Sequence, residues 1–153
     1  MVRQKITPFL WFDGQAEEAA DFYVSLFPDS AVTGSTPGPG GKALVVEFRL
    51  AGMQFLALNG GPHFKFNEAV SLSIDCQSQA EVDEFWEKLS AGGSKSQCGW
   101  LKDKYGLSWQ VVPAVLPELL GAADRGKAAR VMNAMMSMTK LDIQALQNAA
   151  DGK

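Results

Sequence analysis

The sequence predicts an α+β fold made of two similar halves rich in strand–helix–strand units, followed by a helical tail. Three observations carry this. The first is an internal repeat. Phe12-Asp13-Gly14-Gln15, then Ala16-Glu17-Glu18, then Phe22-Tyr23 reads as strand end, turn and amphipathic helix, and the arrangement returns as Ile74-Asp75-Cys76-Gln77, Ala80-Glu81 and Phe85-Trp86. The second is strand-like alternation over 69–75, where Ser71 and Ser73 share one face and Val70, Leu72 and Ile74 the other. The third is helical spacing after Pro113, with no counterpart in the first half. Two copies are too few for a solenoid. They suit one domain over 1–153, with a first module at about 4–60, a second at about 69–113 and a tail over 114–153. Paired halves of this kind tend to enclose a cleft, and clefts bind small molecules.

Element by element, 4–12 reads as a strand and Gln15–Phe27 as a helix with Ala19, Phe22, Tyr23 and Leu26 on one stripe. Gly34–Gly41 holds four glycines and two prolines and reads as a loop. Leu44–Leu50 and Met53–Leu58 flank Ala51-Gly52, a tight hairpin signal. In the second half, Ala69–Asp75 is a strand, Gln79–Leu89 a helix stopped by Ala91-Gly92-Gly93, and Ser96–Leu101 and Leu107–Val112 are strands joined through Asp103 and Gly106. Lys127–Met138 and Leu141–Ala149 are helices; the first carries Val131, Met132, Met135 and Met136 on a stripe that must be buried, within the chain or across a homodimer.

Composition excludes several classes. With 153 residues, 46% of them hydrophobic and 20% charged, the chain can bury a real core. A net charge of −3 without clustered Lys and Arg argues against nucleic acid. No apolar run approaches the roughly 20 residues of a membrane span. No signal peptide opens the chain, and Cys76 and Cys98 lack Cys-x-x-Cys spacing, so a cytoplasmic protein with two thiols is expected, a disulfide being the alternative.

Alternation also sorts the strand faces. Leu10 and Phe12, Leu56 and Leu58, Val70, Leu72 and Ile74, and Trp109 and Val111 are apolar enough to pack under helices. The opposite faces carry Thr7, Phe9 and Trp11; Phe55 and Ala57; Ala69, Ser71 and Ser73; and Ser108, Gln110 and Val112. That mixture of aromatic, small and hydroxylic side chains fits a ligand cavity with a few polar anchors; a collapsed inner layer, with Ser and Gln satisfying one another, is the alternative. Trp100 reads as a stacking platform at the rim or as a packing tryptophan.

Several blocks resemble a known family. Pro8-Phe9-Leu10-Trp11-Phe12, Asn59-Gly60-Gly61-Pro62, Gly99-Trp100-Leu101-Lys102-Asp103 and Tyr105-Gly106-Leu107-Ser108-Trp109-Gln110 are similar to the PhnB-like group, often labelled 3-demethylubiquinone-9 3-methyltransferase, within the vicinal oxygen chelate superfamily of glyoxalases, bleomycin-resistance proteins and extradiol dioxygenases. The resemblance implies two βαβββ modules curled around a pocket, and a homodimer. It also implies four metal-ligand positions in metal-dependent members, falling here on Thr7, on Phe55 or Ala57, on Ala69 and on Gln110. Only Gln110 offers a donor of the kind a catalytic ion needs, and a neutral amide is a weak one, so no metal and no other cofactor is expected.

His63, the one histidine, reads either as a group over the pocket mouth or as an ordinary loop residue; the second is favoured because no other imidazole accompanies it. Cys98 as a nucleophile has no imidazole partner to activate it. The glycines of Gly34–Gly41 precede a strand, whereas a typical methyl-donor site needs a glycine-rich turn leading into a helix. Three functions stay open: a metal-free pocket for a small apolar or aromatic molecule, an enzyme acting on an unidentified metabolite, and an interaction protein using its Met-rich tail.

Overall fold

The computed structural model describes residues 3–153 and divides the chain into two compact units, one ending at Phe66 and one spanning Asn67–Lys153. Each unit contains one βαβββ module.

In the first unit, β1 (Phe9–Phe12), α1 (Ala16–Val24), β2 (Ala31–Pro37), β3 (Ala43–Leu50) and β4 (Met53–Asn59) form a four-stranded sheet in the order β1-β4-β3-β2. The β1–β4 pair is parallel and the others antiparallel. Ala16, Ala19, Ala20 and Tyr23 face inward from α1, and the alanines let the helix sit close to the sheet. Tyr23 stacks on Phe48 and Phe48 on Phe55, with centroids 6.3 and 5.5 Å apart. The start of α1 is capped from a distance: Ala16 N donates to Asn59 Oδ1 at 2.9 Å, and Asn59 Nδ2 donates to Glu17 Oε1 at 2.8 Å. The Ala51-Gly52 hairpin has positive φ at both positions, 48° and 82°, as a two-residue turn matched to strand twist requires.

The strand β2 was not visible in the sequence. Its Thr-Gly-Ser-Thr-Pro run reads as a loop, but it lies at a sheet edge, with register shifts at Val32/Gly34 and Thr36/Pro37; glycine and proline are tolerated at such an edge. The helix stops three residues before the expected end, because Phe27 precedes Pro28.

The second unit repeats the plan with β5 (Ser71–Cys76), α2 (Gln79–Ser90), β6 (Ser94–Lys95), β7 (Trp100–Lys102) and β8 (Ser108–Pro113), in the order β5-β8-β7-β6. Ser78 caps α2 by accepting from Glu81 N at 3.2 Å. Val82, Phe85, Trp86 and Leu89 are the buried face of this helix, which packs on β7 and β8. The expected strand over Ser96–Leu101 is instead a turn over 96–99 between β6 and β7. Cys98 and Gly99 take φ of 59° and 82°, turning the chain so that Ser96 N donates to Trp100 O at 2.9 Å. A Cβ at Gly99 would lie 2.8 Å from Val111 O and 2.9 Å from Leu141 Cδ1, so this turn admits no larger residue without a shift.

The tail forms α3 (Val115–Leu120), α4 (Arg125–Met136) and α5 (Ile143–Ala150). Leu116, Leu119, Val131, Leu141, Leu146 and Ala150 build a core of their own, onto which Val112 and Met135 pack. The methionine stripe therefore splits: Val131 and Met135 are used inside the unit, whereas Met132 and Met136 remain 43% and 59% exposed.

Asp103 ties β7 to β8. Only 2% exposed, its carboxylate accepts from Tyr105 N at 2.9 Å and Leu107 N at 3.1 Å through Oδ1, and from Trp109 Nε1 at 2.9 Å through Oδ2. Asp103→Asn presents an amide N–H to the indole N–H and is expected to cost about 1.5–3 kcal/mol in urea unfolding, and much less in a Trp109→Phe background. Strictly additive costs would show that the two groups do not act together.

Candidate functional site

The open face of the second sheet follows from register. Ser71 lies opposite Ser108 and Ser73 opposite Gln110; Trp100 pairs with Gln110, Lys102 with Ser108, and Ser94 with Lys102. One cross-strand row thus reads Ser94, Lys102, Ser108, Ser71, and the next holds Trp100, Gln110 and Ser73. Leu72, Ile74, Trp109 and Val111 point the other way; Ile74, Trp109 and Val111 are buried there. This matches the alternation read from the sequence, apart from Ala69 and Val70. Both precede β5 in a turn, and Val70 is 70% exposed instead of lying under a helix.

A hollow of about 620 Å³ opens over this face, within the size range of small-molecule sites; Trp100, Lys102, Ser108, Cys98, Ser94 and Glu68 are among its lining residues. Lys102 Nζ pairs with Glu68 Oε1 across it, and the ammonium holds the Glu68 carboxyl below the usual carboxylate range. Ser108 is 1% exposed, and its hydroxyl has no hydrogen-bond partner. A buried hydroxyl in that state costs roughly 1–3 kcal/mol. Beside the hollow, Gln110 Nε2 donates to Ser71 Oγ at 3.0 Å, so these two anchors satisfy one another.

The first sheet is different. Register pairs Phe9 with Leu56 and Trp11 with Leu58, so Phe55 and Ala57 lie with Leu10 and Phe12 on the face that packs under α1. Their expected place in the pocket is wrong by one residue of alternation, which moves every side chain of a strand to the opposite face. Phe55-Leu56-Ala57-Leu58 is apolar throughout, and the marker of its phase is Gln54, which shares the open face with Leu56 opposite Arg49 and Glu47. Phe9 is 54% exposed on the open face. Trp11 is also there, but its indole N–H donates to Gly61 O at 2.9 Å, Phe64 meets its ring edge-on at 4.9 Å, and Gly60 lies against the ring so closely that no Cβ would fit. Thr7 lines a separate, polar hollow of about 550 Å³ with Glu47, Arg49 and Gln54.

Of the expected site residues, the second sheet brings together Ser71, Trp100 and Gln110. Lys102 and Glu68 were missed, although Lys102 is two residues beyond Trp100 on one strand and alternation places it on the same face. His63 is exposed in a turn. Cys98 is half-buried at the hollow, while Cys76 is buried beneath the sheet.

The four positions that a chelated metal would use do not fit one. Thr7 offers a hydroxyl, Phe55, Ala57 and Ala69 offer no side-chain donor, and the Gln110 amide is engaged with Ser71. Among the described residues, no group of three or more His, Cys, Asp or Glu side chains could hold an ion.

A model of the 3-demethylubiquinone-9 3-methyltransferase family matches residues 4–112. The chain belongs to this family. The PhnB protein from Bacillus cereus is similar at 35% identity, with a TM-score of 0.69 over 72% of this chain and 100% of that one. Two further structures share the fold: protein PA1353 from Pseudomonas aeruginosa, at 20% identity and TM-score 0.59 over 72% of this chain and 98% of that one, and the fosfomycin resistance protein FosX from Listeria monocytogenes, complexed with Mn(II) and sulfate, at 18% identity and TM-score 0.54 over 78% and 97%. No curated protein matches the chain. The expected α+β fold of two βαβββ modules is thus shared with these structures. The helices α3–α5 lie beyond the residues the family model covers.

Within this family member the two thiols differ sharply. Burial, reinforced by the negative charges of Glu81 and Asp75, pushes the Cys76 thiol up to about 12 from an ordinary 9.0. A thiol reagent at neutral pH should therefore modify Cys98 alone in the folded protein, with Cys76 reacting only after denaturant is added. Because the folded-state value is the higher one, Cys76 contributes stability that is intact below about pH 9 and is lost as pH rises toward 12. Equal labelling of both thiols in the native protein would contradict the buried placement.

Proposed function

We propose that this protein binds a small, flat aromatic molecule, without a metal, on the open face of its second module. The observation that supports this most is the juxtaposition of Trp100 with the unpartnered Ser108 hydroxyl in one hollow. The indole supplies a stacking wall, worth roughly 0.5–1.5 kcal/mol beyond the area buried. The hydroxyl supplies a polar anchor whose own unmet bond favours occupation. Gln110 and Ser71 extend the polar row.

Catalysis on an unidentified metabolite, including methyl transfer, is the second reading, favoured only by the family's name and by the Cys98 thiol at the rim. The strand-to-helix turns here are Asp13-Gly14-Gln15 and Gln77-Ser78, neither of them the glycine-rich turn of a doubly wound methyl-donor site. A homodimer belongs to the same proposal, since Met132 and Met136 leave an apolar patch on α4. Light scattering that gave a 16.5 kDa particle at micromolar concentration would exclude it. Placement in the cytoplasm is supported by two unpaired cysteines and, among the described residues, by the lack of a helix long and apolar enough to cross a membrane.

A thermal-shift screen of flat aromatic compounds tests the reading. Hits should weaken about tenfold or more in Trp100→Ala and keep their affinity in Lys153→Ala. Hits that bind folded Trp100→Ala normally would move the site elsewhere.

A further inference from the structure

The charge arrangement in the hollow carries the ligand's chemical class further; this step rests on reading the hollow as a ligand site. Lys102 belongs to β7, whose backbone is paired on both sides, so its ammonium is presented by a fixed strand. Glu68 lies in a turn before β5, and its side chain is 62% exposed. Of the two partners, Glu68 is therefore the one free to leave. On this face the strands carry one ammonium, that of Lys102, against this one carboxylate; Lys95 pairs with Leu101, so its side chain leaves from the other face. Lys95 is also tied, to Glu87 at 3.3 Å.

Lys102 sets the sign, and Ser108 adds a second donor beside it. The serine is the direct cross-strand partner of Lys102 on the same face, buried, with a hydroxyl that meets no acceptor. Two donors side by side, one of them charged, match the two oxygens of a carboxylate. A cationic ligand taking Glu68 would instead have to compete with Lys102 for that carboxylate. The Trp100 indole lies one row along the same strand, two residues from Lys102 and on the same face.

We propose that the hollow takes an aromatic carboxylate, whose anionic group displaces Glu68 from Lys102 and accepts from Ser108 while its ring lies against Trp100. Glu68 then acts as a tethered competitor: it holds Lys102 in place of the ligand and, when exchanged for it, passes to solvent from its exposed turn, so Lys102 is paired in both states.

The probes are naphthoate and its neutral isostere naphthamide, titrated calorimetrically at low salt against the full chain. Wild type should bind naphthoate about tenfold more tightly, the scale of one charge-assisted hydrogen bond. Lys102→Gln should abolish that preference. Glu68→Gln should tighten naphthoate several-fold and leave naphthamide unchanged. Ser108→Ala should weaken naphthoate even though removal of the orphaned hydroxyl raises Tm, a combination that a purely structural serine would not give. Equal binding of the two probes by wild type, or weaker naphthoate binding by Glu68→Gln, overturns the anion inference. If naphthamide binds and loses affinity in Trp100→Ala, the pocket reading survives that failure. If neither probe binds at millimolar concentration, both readings fall.

Discussion

A single buried carboxylate organises the second module. Two backbone amides and the Trp109 indole donate to the oxygens of Asp103. Those three bonds do two things at once. They close the turn between β7 and β8, and through Trp109 they lock the face of β8 that packs under α2. Once β8 is held with Trp109 inward, alternation leaves Ser108 and Gln110 no choice but the open face. The antiparallel register then brings Lys102 and Trp100 beside them. The row of polar groups and the aromatic wall thus follow from a bond made on the opposite side of the sheet.

The C-terminal segment braces the same site from outside the residues that the family model matches. Cys98 N and Gly99 N donate to Met138 O and Thr139 O at 2.8 Å each, and Gln79 joins α2 to the tail through Leu141 O and Ile143 N. The turn that carries Cys98 and begins β7 is therefore stitched to a segment held by its own small core. The two modules share a plan and differ in how their open faces are used. In the first, the segment after β4 folds onto Trp11 and engages its indole. In the second, Trp100 is left to line the hollow.

The repeat, both module helices, the Ala51-Gly52 hairpin and the open face of β5 and β8 were legible because each is a local pattern with a polar phase marker: Ser71 and Ser73, or Gln110 between Trp109 and Val111. β4 was misread because Phe55-Leu56-Ala57-Leu58 is apolar on both faces and Gln54 alone marks its phase; pairing with Leu10 of β1 and with Phe48 of β3 puts Phe55 and Ala57 on the side that meets α1. β2 was hidden because an edge strand can carry glycine and proline. The Glu68–Lys102 pair was out of reach for another reason. It joins a turn to a strand far along the chain, and no local pattern marks it. The Trp11 contacts with Gly60, Gly61 and Phe64 were hidden likewise, so a tryptophan that looked like a pocket wall proves to be occupied by its own chain.

Four tryptophans make the central claim directly observable. Each indole N–H gives its own resonance, and the four environments differ: Trp86 and Trp109 are buried, Trp11 is bonded to Gly61, and Trp100 lines the hollow. A nitrogen–proton correlation spectrum recorded during titration with naphthoate should show the Trp100 indole shifting progressively to saturation while the other three hold their positions. Movement of the Trp11 indole with Trp100 unmoved would contradict a site on the second module's open face.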